Sequence, residues 1–446
     1  MNISIIGTGY VGLVTGVCLA ELGHKVTCVD EDKIKVKLIA DGKSPIYEKG
    51  LEKLIKKNID NNLLVTTDLH EAFLKTDVTF LAVGTPFKNN QINLSFIEKA
   101  AQQIGQSLKF KKKFHIIVVK STVVPGTTDK ISKIIEKTSK KKCNKNFSIA
   151  MNPEFLREGE AVNDFMHPDR IVIGTDDKKT KKQLNQLYSC FKNVDILNTN
   201  MVTAELIKYT ANSFFASCIS FSNEISNLSR AIGNIDSKEV MYGLHLDKRL
   251  SPKDSNGKRI NTGILSYLDG GCGYGGSCFP KDLKAINAFA KNNNFNMQLL
   301  KSVININNTQ IEQINSILIE EFGSLKNLEL SILGLSFKPG TSDIRESASI
   351  NLINNLLKKK CLVSTYDPTA IENTKSIFKD KIKYYNSLKK CLFDSKVIII
   401  MTAWDEFRNI PKLLNSLKRN PIVIDGRRIL DPSKILHYRG IGYSKK

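Results

Sequence analysis

Short apolar runs alternate with amphipathic stretches from the first residue of the chain. "NISIIG", "HKVTCVD", "DVTFLAVGTP", "FHIIVVKST", "FSIAMNPEF" and "DRIVIGT" have the length and β-branched content of buried strands, and the segments between them carry helical spacing. That alternation predicts a parallel α/β fold. From about Thr203 to Ile232 the strands stop, "TAELIKYTANSFFASCISFSNEISNLSRAI" reads as one long helix, and helical pattern continues to about residue 322. Strands return as "LELSILGLSF", "LVSTYDP", "KVIIIMTAW" and "PIVIDGRR", separated by stretches such as "SASINLINNLLKKK". The pattern therefore predicts two doubly wound α/β domains, residues 1–202 and 323–446, joined by a long central helix and a helical middle domain, 203–322. The two ends echo each other: "VTCVDED" and "VSTYDPT" both place an acid at a strand end, and "FLAVGTP" matches "IIIMTAW" in place. Ligands of such sheets bind at the carboxyl ends of the strands, so a cleft is expected there.

Composition narrows the class. A chain of 446 residues holds two or three domains at the usual size of about 100–200 residues each. Hydrophobic content of 41% with 25% charged residues is that of a soluble globular protein, and no apolar run approaches the ~20 residues of a membrane span. The start "MNISIIGTGYVG" lacks the features of a signal peptide, so a cytoplasmic protein is expected. Nine scattered cysteines do not form a disulfide framework, and six isolated histidines offer no ligand spacing, so reduced thiols and no metal are expected. The net charge of +22 invites nucleic acid, a membrane surface or anionic substrates as partners. Its lysines lie in segments such as "KKTKKQLNQ" and "SKKKCNKN", which read as solvated faces, and no recognition motif accompanies them. Nucleic acid and membrane are thus not expected.

"SIIGTGYVGLVTGVCLAELG" supplies Gly7, Gly9 and Gly12 directly after a strand and at the mouth of a helix. This is the context a Rossmann-type dinucleotide turn requires, with amides at the helix start for the pyrophosphate. Tyr10 and Val11 fill the turn. Strand "KVTCVD" ends at Asp30, placed to accept from a ribose hydroxyl, while Glu31 and Asp32 would repel a 2′-phosphate; this favours NAD over NADP. Lys35 and Thr85 of "VGTP" are further cofactor candidates, although position alone favours a solvated lysine for the first and an ordinary turn for the second.

"GGCGYGGSCFPKD", residues 270 to 282, crowds glycines around Cys272 and Cys278. Helical pattern begins at Pro280, which puts Cys278 at a helix start, where the dipole and Lys281 favour thiolate below the ordinary ~8.5. Gly270, Gly271, Gly273, Gly275 and Gly276 would let a substrate lie against bare backbone. A thiolate beside NAD can capture an aldehyde as a thiohemiacetal, which oxidises to a thioester and is released by water as an acid. Cys272 is close enough in sequence to pair with Cys278 under oxidation, a minor alternative to a small filler role.

"GTGYVGL", "PIYEKGL", "VGTP", "KSTVVPGTT", "NPEFLREG", "PDRIVIG", "AELIKYTANSFFA", "GYGGSCFPKD", "LGLSFKPGTSDIRES" and "IDGRRILD" follow one another in an order and spacing that resembles the UDP-glucose/GDP-mannose dehydrogenase family over nearly the whole chain. The resemblance implies twofold, NAD-dependent oxidation of the C6 hydroxyl of a nucleotide sugar with Cys278 as nucleophile. It implies Lys208 and Asp282 beside the reacting carbon, Asn212 one helical turn from Lys208, Glu154 as base for thioester hydrolysis and Thr122 orienting water. It adds Thr122, Glu158, Lys281 and Arg345 to the cofactor candidates. For the UDP-sugar it implies Glu154, Phe155, Leu156, Arg157, Glu158, Lys208, Asn212, Tyr267, Leu268, Asp269, Gly270, Gly271, Gly275 and Lys338, with Arg428 or its neighbour Arg427. Read without the resemblance, Lys208 is a surface lysine, Glu154 and Glu158 are helix-start charges, and Arg345 forms a surface ion pair with Asp343 or Glu346.

The pattern departs from the family before the cysteine loop. "LDKRLSPKDSNGKRINTGILSYLDGG" is longer by about a dozen residues than the form the resemblance leads one to expect, reads as a polar surface loop around "DSNGK", and offers both Arg249 and Arg259 for one sugar-contacting arginine. UDP-glucose is the first expectation for substrate; a UDP-N-acetylhexosamine or GDP-mannose is the alternative, and a non-catalytic nucleotide-sugar sensor a more distant one. The resemblance also implies a homodimer through the long central helix.

Overall fold

The structure, a computed structural model, describes residues 1–444 and divides into two compact units, Met1–Ala211 and the chain from Asn212 onward. The first unit holds strands β1 (Asn2–Ile6), β2 (Lys25–Val29), β3 (Leu63–Thr66), β4 (Val78–Leu81), a small hairpin of β5 (Phe87–Lys88) and β6 (Gln91–Ile92), then β7 (His115–Val119), β8 (Phe147–Met151), β9 (Arg170–Gly174) and β10 (Asp195–Thr199). Apart from the hairpin they form one sheet in the order β10-β9-β8-β7-β4-β1-β2-β3. The run from β3 to β8 is parallel and doubly wound about β1. Alternate residues serve opposite faces: Ile116 and Val118 pack into one core with the helix Tyr10–Glu21, and Ile117 and Val119 into another with the helices Ser95–Leu108 and Thr127–Ser139. Both faces are therefore apolar, which is why these strands read as unbroken hydrophobic runs.

The expectation of a wholly parallel pattern fails at one edge. β9 runs antiparallel to β8, and β10 is parallel to β9. The physical reason lies in the connection. Asn152 to Glu160 forms an irregular loop beyond the end of β8, leaving only the short helix Ala161–Met166 before β9, so the chain turns back instead of crossing over the sheet.

The second unit contains β11 (Glu329–Leu333), β12 (Leu362–Tyr366), β13 (Lys383–Tyr384), β14 (Val397–Ile400), β15 (Ile422–Asp425) and β16 (Tyr438–Gly440), all parallel, in the order β13-β12-β11-β14-β15-β16. The echo between the chain's two ends extends to individual hydrogen bonds. Gly7 (φ +96°) and Gly334 (φ +90°) each follow the first strand of their sheet, and each donates its amide to the last residue of the second, Val29 at 2.8 Å and Tyr366 at 2.9 Å. Asp30 and Asp367 then accept the next turn amide, from Thr8 and Leu335, both at 2.7 Å. Only the first turn keeps the second and third glycines.

The helical middle is the long helix Met201–Ile232 followed by Ser237–His245, Phe279–Asn292, Gln298–Thr309 and Glu312–Phe322. Buried Glu205 fixes the start of the long helix by accepting from the amides of Gly126 and Thr128 and the Thr128 hydroxyl at 2.6–2.7 Å, which caps the helix Thr127–Ser139. Among the described residues no helix is long and apolar enough to cross a membrane.

Candidate active site

The glycine turn after β1 divides its work among three residues. A side chain at Gly7 would fall 2.9 Å from the Ala82 carbonyl, and one at Gly12 would lie 1.9 Å from the Gly7 carbonyl, so both glycines let helix, turn and strand close on one another. Gly9, by contrast, faces open space. That is the position where a pyrophosphate approaches the backbone, at the N-terminus of the helix Tyr10–Glu21, so the turn fits the dinucleotide. Asp30 follows β2. Burial works against its charge, but hydrogen bonds from the Asp32 amide and from the Thr8 hydroxyl and amide outweigh it, and Lys35 adds to them; its pKa lies below the ordinary carboxylate value. Asp32 caps the helix Lys33–Ala40, and Glu31 pairs with Lys99 at 2.7 Å, so less negative charge is left to repel a 2′-phosphate than three bare carboxylates would give. The Thr85 hydroxyl donates to the Thr122 carbonyl at 2.7 Å, joining the turn after β4 to the turn after β7.

The loop after β8 carries Glu154. It is not the first turn of a helix, since the next helix begins only at Ala161. Glu154 is buried, accepts from the Leu156 amide at 2.6 Å and meets Lys208 at 3.0 Å; both side chains are at most 5% exposed. Lys208 is thus no surface lysine. Its ammonium also lies 5.6 Å from the centre of the Phe155 ring.

Two residues near this loop, Glu48 and Lys120, carry no role in the sequence reading. Glu48, from "PIYEKGL", is buried and accepts from the amides of Gly159 and Ala161 at 2.7 and 2.9 Å, while the Tyr10 hydroxyl accepts from the same Gly159 amide at 2.8 Å. The cofactor turn and the Glu154–Glu158 loop are therefore tied together through Tyr10. Burial pushes the Glu48 pKa up against the pull of those amides. Lys120, directly after β7, is buried with its ammonium 2.9 Å from the Asn152 side-chain oxygen. Desolvation pushes its pKa down to about 8, opposed by the charge of Glu154 and reinforced by that of Lys208. Arg157 is exposed and forks onto Asp164 at 2.6 and 3.0 Å; Glu158 is half-buried beside it in the chain.

In the second unit Cys278 is the exposed N-cap of the helix Phe279–Asn292, with Pro280 at the second helical position, one later than the sequence pattern placed it. Its carbonyl accepts the Asp282 amide at 2.9 Å. The Asp282 carboxylate is buried between the Asn212 amide at 2.6 Å and the Lys281 ammonium at 2.5 Å. Lys208 and Asn212 occupy successive turns of the long helix.

Four of the glycines before Cys278 pack against neighbours on the side where a side chain would stand. A side chain would lie 2.0 Å from the Ser226 hydroxyl at Gly270, 2.4 Å from the Asn307 side chain at Gly273, 2.4 Å from the Glu346 carbonyl at Gly275 and 2.7 Å from the Phe337 ring at Gly276. These glycines let the loop thread between packed neighbours and so fix where Cys278 emerges. The Gly271 amide donates to Asn223 at 2.8 Å, and its carbonyl accepts from Gln310 at 2.8 Å. Tyr267 stacks on Phe215 with ring centres 4.5 Å apart, Leu268 is buried, and Asp269 is exposed.

Cys272 does not pair with Cys278. It is buried, its sulfur is 3.2 Å from the Gly426 carbonyl, and desolvation pushes its thiol up to about 11. Arg428 is also committed elsewhere: it is 3% exposed and bonds Asp236 at 2.8 and 2.9 Å, the Tyr438 hydroxyl and the Ile441 carbonyl. Arg427 is the one that reaches the glycine loop, donating to the Gly273 carbonyl at 3.2 Å. Lys338 sits half-buried near the Phe337 ring, and exposed Arg345 forks onto Asp343 at 2.7–3.0 Å. In the 250–263 segment Lys253 and Arg259 pair across an exposed turn closed at Gly257. Arg249 holds Asp247, and Arg259 holds the Ser251 carbonyl.

Comparison with known proteins agrees with this geometry. Residues 1–192, 202–309 and 331–432 match, in turn, the NAD binding domain, the central domain and the UDP binding domain of one family. The chain is 40% identical over 430 residues to the UDP-glucose 6-dehydrogenase YwqF of Bacillus subtilis, covering 96% of this chain and 93% of that one. It is also 40% identical over 447 residues to the UDP-glucose 6-dehydrogenase AglM of Haloferax volcanii, covering 99% and 100%. The solved structure of a UDP-glucose dehydrogenase from Pyrobaculum islandicum superposes with a TM-score of 0.90 at 34% identity, covering 99% of this chain and 97% of that one. The chain belongs to the UDP-glucose/GDP-mannose dehydrogenase family, and its cofactor is NAD.

Proposed function

We propose that the protein oxidises the C6 hydroxyl of UDP-glucose to a carboxylate in two steps, yielding UDP-glucuronate. NAD supplies the hydride acceptor for both oxidations. The observation that carries the reading is Cys278: an exposed thiol at a helix N-cap, followed one turn later by a carboxylate buried between Asn212 and Lys281. Lys208 and Asp282 handle the proton that leaves the C6 hydroxyl in the first oxidation. The Cys278 sulfur then adds to the C6 aldehyde and, after the second oxidation, holds C6 as a thioester. Water adds to the thioester carbonyl and gives its proton to Glu154; the C–S bond breaks, the thiolate leaves, and the sugar departs as the acid. Thr122 orients that water. Residues 1–202 take NAD, 203–322 carry the thiol, and 323–446 take the UDP-sugar with Lys338 and Arg427, basic groups suited to a diphosphate.

The same reading makes the protein a cytoplasmic homodimer. Nine cysteines, all free thiols, fit a reducing compartment. Dimerisation is supported by exposed Phe214, Phe221 and Leu228, spaced seven apart along the long helix, which form an apolar stripe fit for a second copy.

The test is to incubate the protein with NAD and a panel of UDP- and GDP-sugars and follow NADH absorbance. Two NADH per UDP-glucose are expected, with a carboxylate product. One NADH with an accumulating aldehyde would contradict the reading.

A further inference from the structure

Lys120 is a buried cation that the steps above leave unused. It directly follows β7, and Asn152 directly follows β8, so the two stand at the carboxyl ends of adjacent strands, where the Asn152 amide donates to the Val119 carbonyl at 2.9 Å. Among the described residues the Lys120 ammonium has one hydrogen-bond acceptor, the Asn152 side-chain oxygen at 2.9 Å. Asn152 does not need it: the same oxygen already receives the Tyr188 hydroxyl at 2.5 Å, and the side-chain amide donates to the Val172 carbonyl at 2.8 Å. A methionine of similar length would leave that network satisfied. A buried ammonium kept without structural need points to a use for its charge. Its neighbours supply one, since the charges of Glu154 and Lys208 both act on it. The cluster therefore holds two ammonium groups and one carboxylate.

We propose that Lys120 is a positioning residue for thioester hydrolysis: it gives Glu154 a second counter-charge that remains when Lys208 engages the substrate. The inference rests on Glu154 being the base that takes the proton of the attacking water. A cluster with excess positive charge also favours the negative charge that develops on the thioester oxygen as water adds. Lys208 can then serve the first oxidation without leaving a buried carboxylate unpartnered.

The experiment compares wild type with Lys120→Met in three measurements: thermal midpoint, steady-state kinetics with UDP-glucose and NAD, and intact mass of protein quenched during turnover. The expected variant is folded with a midpoint no lower than wild type, keeps both KM values within about threefold, loses about 10- to 100-fold in kcat, part of the ~10²- to 10⁴-fold that a positioned base contributes, and carries the acyl adduct on Cys278. A purely structural lysine would lower the midpoint and disturb KM and kcat together. Turnover within twofold of wild type, a lowered midpoint, or slow turnover without the acyl adduct overturns the proposal. Wild type run alongside separates the two levels: if it forms no NADH from UDP-glucose, the function reading fails and the proposal with it. If it does and Lys120→Met keeps pace, the proposal alone fails.

Discussion

Lys208 and Glu154 form a buried ion pair at 3.0 Å, joining the first turns of the long helix to the irregular loop after β8. Removing Lys208 leaves buried Glu154 with only the charge of Lys120 near it, which offsets part of the about 3–5 kcal/mol that breaking a buried pair typically costs. Lys208→Met is therefore expected to lower the thermal midpoint as well as to slow the first oxidation about 10²- to 10⁴-fold. Calorimetry and NADH kinetics on one preparation check both effects. A variant as stable as wild type would mean that the pair carries no structural weight.

Cys278→Ala removes the sulfur that holds C6 between the two oxidations. The helix Phe279–Asn292 keeps its start, because Pro280 and the Asp282 amide bond to the residue 278 carbonyl do not depend on the thiol. Stability should change by less than about 1 kcal/mol, as for most exposed positions, while UDP-glucuronate formation is lost. Chromatography of the nucleotide sugars distinguishes this from a folding defect; continued release of the acid at the wild-type rate rules out the thioester route.

Much of the fold was legible because its signals are local. Apolar runs, helical spacing, the Gly7–Gly9–Gly12 turn and the thiol at a helix start all lie within a few residues of one another, and each has its expected local form. What the sequence could not carry are relationships across the chain. Lys120 looks like the polar end of a strand until Asn152 is placed beside it from the neighbouring strand. Glu48 lies over a hundred positions from the Gly159 amide it receives. The glycines before Cys278 signal close approach without saying to what; four of them meet the protein's own Ser226, Asn307, Glu346 and Phe337. Arg427 and Arg428 are adjacent, and only the buried acceptor Asp236, from the helical middle, tells them apart. The reversal of β9 depends on how a loop spends its length, which hydrophobic pattern does not encode.

The titration of Lys120 gives a signed stability prediction. Its folded pKa, about 8, lies below the ordinary lysine value of about 10.4, so the unfolded chain binds more protons between these two values. Stability from this group accordingly rises as pH climbs from about 8 toward about 10.4, and the penalty of the buried charge is full below about 8. Relative to wild type, Lys120→Met should be most stabilised at neutral pH and should lose that advantage toward pH ~10. Thermal midpoints of both proteins across this range check the prediction; a difference that does not vary with pH would contradict it.

Asp282 offers an added-charge test that leaves the thiol untouched. Its buried carboxylate is held by the Asn212 amide at 2.6 Å and by Lys281 at 2.5 Å. Asn212→Asp keeps shape and size but faces one carboxylate with another, and two such groups in contact cannot both stay charged, so one of them holds a proton near neutral pH. If Asp282 acts as an anion beside the reacting carbon, turnover should fall steeply at pH 7 and recover in part as the pH is raised and the shared proton leaves. Asn212→Ala removes the donor without adding charge, and its loss should not show that alkaline recovery. Comparing the pH profiles of the two variants separates the charge of Asp282 from its position, because only the charge is restored by removing a proton.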